Sequence, residues 1–181
     1  ASHNGKIRFG LSAIKNVGTS AIDTILHTRT SDGPFKSFTD FVSRVDLSKV
    51  NRRTMDSLIK AGAMDRFGKR ASLLASYSTI MERVQLKKRK TDIGQESLFA
   101  ESEELDTKDS FPDMEELSKE ELLQFEKQLL GFYLTEHPLT PLLPILEKKV
   151  THRIININNQ VSSVIIGGLI ASVKKIITKN G

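Results

Sequence analysis

Apolar positions recur at helical spacing through most of the chain and change, after residue 150, to runs that suit strands. The run through Ile7, Leu11, Ala13, Ile14 and Val17 breaks at Gly18. Ala21, Ile22, Ile25 and Leu26 then fall on one face of a helix, with Thr19 or Ser20 placed to cap its start. Ser31-Asp32-Gly33-Pro34 reads as a turn, and Phe35, Phe38, Phe41 and Val42 predict a short helix with an aromatic inner face. A further helix is expected from about Asn51 to Lys60, with Met55, Leu58 and Ile59 inward and Arg52, Arg53 and Lys60 outward. It ends near Gly62. Past Gly68 a long helix runs through Leu73, Leu74, Tyr77, Ile80, Met81 and Val84. Helix, glycine turn, helix thus occurs twice.

From Thr91 to Pro112 the pattern loses its period and becomes polar and acidic, as a linker does, apart from one apolar island at Leu98-Phe99. Ser118-Lys119-Glu120-Glu121 has the spacing of a capping box and opens a helix through Leu122, Leu123, Phe125, Leu129 and Leu130 to Gly131. Prolines 138, 141 and 144 punctuate a connector. Strand propensity follows at Ile154, Ile155 and Ile157, at Val161 to Ile166, and at Leu169 to Ile177, with Gly167-Gly168 expected to make a bulge or sharp bend. Asn180-Gly181 is a hairpin signal with no returning strand behind it. The organisation expected is a mainly helical domain over 1–92, an acidic linker with a connecting helix over 93–149, and the opening strands of a truncated domain over 150–181.

Charge sharpens these boundaries. Residues 1–92 carry 18 Lys or Arg against 8 Asp or Glu, a net +10; residues 93–147 carry 3 against 14, a net −11; residues 148–181 carry 6 against none. The basic blocks suit a polyanion and the acidic one repels it. With no cysteine among 181 residues, disulfides, thiolate zinc sites and thiol nucleophiles are excluded. The chain is expected to be soluble and cytoplasmic, since no apolar run reaches the length of a membrane span. Its lack of an initial methionine is expected of a piece of a longer protein. Catalysis finds little support. His3, His27, His137 and His152 are scattered, no nucleotide-binding or nucleophile-elbow motif occurs, and the carboxylates concentrate in the linker.

Phosphate binding fits better. In Ile14-Lys15-Asn16-Val17-Gly18-Thr19-Ser20, a glycine lets backbone approach a ligand and the next helix presents N–H groups at its positive end. Lys15 adds charge, and Thr19 and Ser20 add hydroxyl donors. The second turn, Gly62 to Gly68, repeats the plan with Arg66, Lys69 and Arg70 beside it. A glycine that merely ends a helix is the simpler account of either turn alone.

The run Ile7-Arg8-Phe9-Gly10-Leu11-Ser12-Ala13-Ile14-Lys15-Asn16-Val17-Gly18, with Gly33-Pro34-Phe35, Lys49-Val50-Asn51-Arg52-Arg53 and Leu58-Ile59-Lys60-Ala61-Gly62-Ala63, resembles the bacterial replicative DNA polymerase III alpha subunit. It is similar to that family's tandem helix-hairpin-helix region. Gly131-Phe132-Tyr133-Leu134-Thr135-Glu136-His137-Pro138-Leu139 resembles the segment before the family's OB-fold, and Ile166-Gly167-Gly168-Leu169-Ile170 its first strand.

The resemblance implies a mainly α fold, with a tandem helix-hairpin-helix domain, a linker, a helix and the first strands of a truncated OB-fold. It implies non-sequence-specific binding of duplex and primer-template DNA through Lys15, Asn16, Val17, Gly18, Thr19, Ser20, Arg52, Arg53, Gly62, Arg66, Gly68, Lys69 and Arg70. Gln95-Glu96-Ser97-Leu98-Phe99 resembles the family's sliding-clamp-binding pentapeptide, so Gln95, Ser97, Leu98 and Phe99 are expected to dock on the clamp. Other replisome subunits are expected partners and a membrane is not. Catalytic residues, cofactors and metals are expected to lie outside this stretch, magnesium being implied for the parent polymerase. The alternative is a replisome scaffold that touches no DNA.

Overall fold

The computed structural model describes residues 2–3, 6–7, 9–92, 109–157, 163–170 and 172–175. Two units divide at Tyr133 and Leu134. In the first, β1 (Ser2–His3) and β2 (Lys6–Ile7) pair antiparallel, Ser2 opposite Ile7 and His3 opposite Lys6. Among the described residues five α-helices follow: α1 (Thr19–Asp32), α2 (Phe38–Arg44), α3 (Arg52–Lys60), α4 (Arg70–Asp92) and α5 (Lys119–Leu130).

Three of these helices begin where a side chain satisfies an orphan N–H. Ser37 accepts from Asp40 N at 2.9 Å, Asn51 from Thr54 N at 3.0 Å, and Ser118 and Glu121 form a reciprocal capping box. The first differs from expectation: Thr19 and Ser20 lie inside α1, and its N-cap is Gly18, which offers no side-chain cap. The run before it also departs from a full helix. Only Leu11–Ala13 makes a 3-10 turn, because Asn16 adopts a left-handed φ of 69° that an α-helix cannot contain.

The helices meet over Phe38, Phe41, Val42, Met55, Leu58, Ile59 and Leu73, all essentially inaccessible. At about 1.5–3 kcal/mol per fully buried large apolar side chain, this cluster is the main source of the unit's stability. Arg44 closes the α1–α2 corner by donating to the carbonyls of Thr28 (3.2 Å) and Gly33 (2.9 Å) while pairing with Asp40 at 3.0 Å. Helix α5 joins the same core through Leu129, and Lys60 lies 5.1 Å from the Phe125 ring centroid. It therefore belongs with the helical unit, although it lies beyond the acidic stretch that the sequence reads as a linker.

In the second unit, Thr140–Leu142 form a 3-10 turn that leads into α6 (Leu143–Lys149). The strand expected at Ile154 to Ile157 is replaced by a 3-10 turn over Ile154–Asn156. Among the described residues after 150 no strand forms. β-Propensity marks a chain suited to a pleated surface, and the surface is realised only with a ladder partner. One link resembling a ladder exists: Thr151 N donates to Ile165 O at 3.0 Å, and Ile165 N donates to Thr151 Oγ1 at 2.9 Å. Gly167 serves close approach, since a Cβ there would lie 2.7 Å from a Leu146 methyl and 3.1 Å from Val150.

Candidate nucleic-acid interface

The first hairpin, residues 14–20, is suspended between two helices. Ile14 and Val17 are buried and anchor it in the core. Lys15 N donates to Leu129 O at the end of α5 (2.9 Å), and the Thr54 hydroxyl on α3 donates to Asn16 O (3.2 Å). Asn16 also turns its amide nitrogen to Ser57 Oγ at 3.1 Å. Asn16, expected among the DNA-binding residues, is exposed and braced by these bonds, and Val17, expected beside it, is buried in the core. The bracing roles of Thr54, Ser57 and Leu129 are not legible in the sequence because these residues lie far along the chain from the turn they hold.

What the braces leave at the surface is specific. Lys15, Gly18, Thr19 and Ser20 are exposed. Ala21 N and Ile22 N both donate to Gly18 O (3.1 and 3.2 Å), whereas the N–H groups of Thr19 and Ser20 meet no acceptor among the described residues. No acidic residue occupies the first turn of α1. Gly18 has φ −79° and ψ 160°, which any residue adopts, and a Cβ added there would meet nothing within 4 Å. Neither strain nor crowding within the protein requires glycine at this position. The helix end is an open group of donors with partial positive charge.

The second hairpin is built for another purpose. Gly62, at φ 81°, ends α3 in a Schellman arrangement: Ala63 N reaches Leu58 O and Gly62 N reaches Ile59 O, both at 2.9 Å. A Cβ on Gly62 would lie 2.8 Å from the Arg70 guanidinium carbon. Arg70 lies across the glycine, bonded to Asp65 at 2.8 and 2.9 Å and to Lys60 O at 3.1 Å. Those bonds to Asp65 hold the Arg70 pKa above its ordinary value against partial burial, with Glu126 and Glu116 adding to the field. Gly62 and Arg70, expected to bind DNA, thus have a structural role in this hairpin.

The N–H groups at the start of α4 are also taken: Arg70 N donates to Glu116 Oε2 (2.9 Å) and Ala71 N to Glu116 Oε1 (3.0 Å). Lys69 bonds Asp113 (3.2 Å) and Met114 O (2.9 Å), and Gly68 faces the Phe111 ring. Asp109 caps a different helix, accepting from Phe38 N (2.6 Å) and Thr39 N (2.8 Å). Residues 109–116, expected to be linker, are thus docked on the helical unit. Among the remaining cations, Arg52 is paired with Glu82, whereas Arg53 and Arg66 are exposed. Gln95, Ser97, Leu98 and Phe99 lie outside the described residues. No group of three His, Asp or Glu among the described residues is placed to hold a metal ion. No described helix is long and apolar enough to cross a membrane.

Residues 1–73 match the family model described as a helix-hairpin-helix motif. With the open turn before α1, that match places the first unit in the helix-hairpin-helix class. The chain is 42% identical over 134 residues to DNA polymerase III subunit alpha of Thermus aquaticus, covering 74% of this chain and 11% of that protein. It is 38% identical over 180 residues to the Bacillus subtilis protein of that name, and 32% identical over 197 residues to the Pseudomonas aeruginosa one. Each of these matches covers 98% of this chain, and they span 16% and 17% of the respective relatives. The chain belongs to the bacterial DNA polymerase III alpha subunit family, and spans less than a fifth of the length of these relatives.

Proposed function

We propose that the first unit holds duplex and primer-template DNA by its phosphates, without sequence preference, as part of a replicative polymerase working in the cytoplasm. The observation that carries this is the open N-terminus of α1, where the Thr19 and Ser20 N–H groups, the space over Gly18 and the exposed Lys15 converge. Backbone donors bind a phosphate whatever the base attached to it, so this geometry gives grip without readout. Arg53 and Arg66 add exposed charge at a distance, and the second hairpin contributes little while it is internally paired.

The parent's reaction, DNA-directed DNA synthesis, follows from the relatives' name, and magnesium is what the family resemblance implies for it. This stretch supplies hold rather than chemistry. Gln95, Ser97, Leu98 and Phe99 tether the polymerase to a sliding clamp, so that released DNA is recaptured at high effective concentration, with other replisome subunits alongside. The second reading, a scaffold with no DNA contact, draws on the internal pairing of Arg52, Lys69 and Arg70. Fluorescence anisotropy against random-sequence duplex over a salt series separates the two. Sequence-indifferent affinity that falls steeply with salt supports DNA holding, and absence of binding at low salt supports the scaffold.

A further inference from the structure

Residues 109–117 hold four carboxylates, Asp109, Asp113, Glu115 and Glu116, and three of them dock on the basic helical unit. The Glu116 carboxylate has the pose of a phosphate at a helix N-terminus, its two oxygens each accepting from one of two successive N–H groups of α4, with Lys69 drawn to Asp113 beside it. The stretch is fastened at several points. Ser72 Oγ donates to Pro112 O at 2.9 Å, and the Phe111 ring lies 6.1 Å from that of Phe38. Phe111 is partly buried, Asp113 is 99% exposed and Glu116 is exposed, while the bonds of Asp109, of Ala71 N to Glu116 and of Ser72 to Pro112 are partly buried, so one apolar anchor and polar contacts at the margin of the core hold the whole. Exposed ion pairs contribute little each, and such a stretch detaches without unfolding the core beneath it.

We propose that residues 109–117 are a releasable acidic strap that shuts the second hairpin against DNA, and that its release adds the α4 N-terminus and Lys69 to the DNA grip. This rests on the reading that the first unit holds DNA by its phosphates. In the closed state the strap is an internal competitor occupying the donors a phosphate would use.

The test uses the whole 181-residue chain with Asp109→Ala and Glu116→Ala together, which removes the acceptors, beside a charge-matched control, Glu115→Ala with Glu120→Ala, whose side chains are exposed. Amide hydrogen exchange reports release at Phe38, Thr39, Arg70 and Ala71, and anisotropy reports affinity for random duplex. The released variant is expected to lose protection at those amides, to bind about 3- to 10-fold more tightly than the control, and to show a salt slope steeper by about one. Lys69→Ala is expected to cost more affinity in the released variant than in the parent chain.

Retained protection, an affinity gain equal to the control's, or a Lys69→Ala cost that does not grow each overturns the strap. Duplex binding by the released variant alone keeps the strap and discards the first-hairpin reading. Binding by the parent chain with no gain on release does the reverse, and no binding by either discards both.

Discussion

Replacing Gly18 with Asp separates the two roles a helix N-terminus plays. The backbone there is already extended and a Cβ meets nothing, so the substitution introduces no clash. The new carboxylate sits at the N-cap of α1, where it accepts from the Ser20 or Ala21 N–H and faces the positive end of the helix. Relative to glycine an Asp cap contributes a few tenths of a kcal/mol, and the dipole term adds about 0.3–1 kcal/mol. A gain of about 0.5–1 kcal/mol raises the melting temperature by about 2–4 °C for a unit of this size.

DNA affinity moves the opposite way. The carboxylate consumes donors proposed to hold phosphate, and charge-assisted hydrogen bonds of about 1.5–3 kcal/mol correspond to a roughly 10- to 100-fold loss. Gly18→Asn, a neutral cap, controls for long-range repulsion: it is expected to weaken binding by a smaller factor and to stabilise as well. Thermal melting and anisotropy over a salt series check both halves. Raised stability with unchanged affinity in Gly18→Asp refutes the contact.

Other perturbations are expected to separate structure from binding in the same way. Gly62→Ala forces a side chain into a left-handed φ and into Arg70, costing at least about 1–2 kcal/mol and lowering the melting temperature by about 4–8 °C, while the folded protein keeps its DNA affinity; a neutral melt counts against the Schellman role. Leu98→Ala with Phe99→Ala is expected to abolish clamp binding in a pull-down and leave duplex affinity intact, and clamp affinity that survives removes the motif. For Glu116, burial opposes its charge, but bonds from the Leu117, Ala71 and Arg70 N–H groups and the nearby guanidinium outweigh it and hold the pKa below its ordinary 4.5. A depressed carboxyl pKa means that its stabilisation is complete above the ordinary value and is lost as pH falls through the lower one. The Ala71 amide resonance is therefore expected to titrate with a midpoint below 4.5, and a midpoint at or above it contradicts the contact.

The helices were legible because their signals are local. Apolar spacing located α1, α3, α4 and α5, and Asn51 and the Ser118–Glu121 box marked two starts that the structure reproduces within a residue. The two glycine turns looked alike for the same reason, since a sequence records the glycine and its cations but not the φ or the partner of either. Tertiary structure decided that Gly18 opens a helix end, while Gly62 closes one beneath Arg70. It also bonded the Asn16 amide to Ser57, and set Asp109 and Glu116 on helix ends 71 and 46 residues away. The pattern after residue 150 shows the same limit: Ile154 and Ile155 suit a strand, but no partner strand pairs with them among the described residues, and they form a turn. Periodicity and capping are written into neighbouring residues, and so the sequence determined where the helices lie and that the first unit is basic. Which donors remain open to a phosphate depends on carboxylates brought back from far along the chain, and that only the packed fold decides.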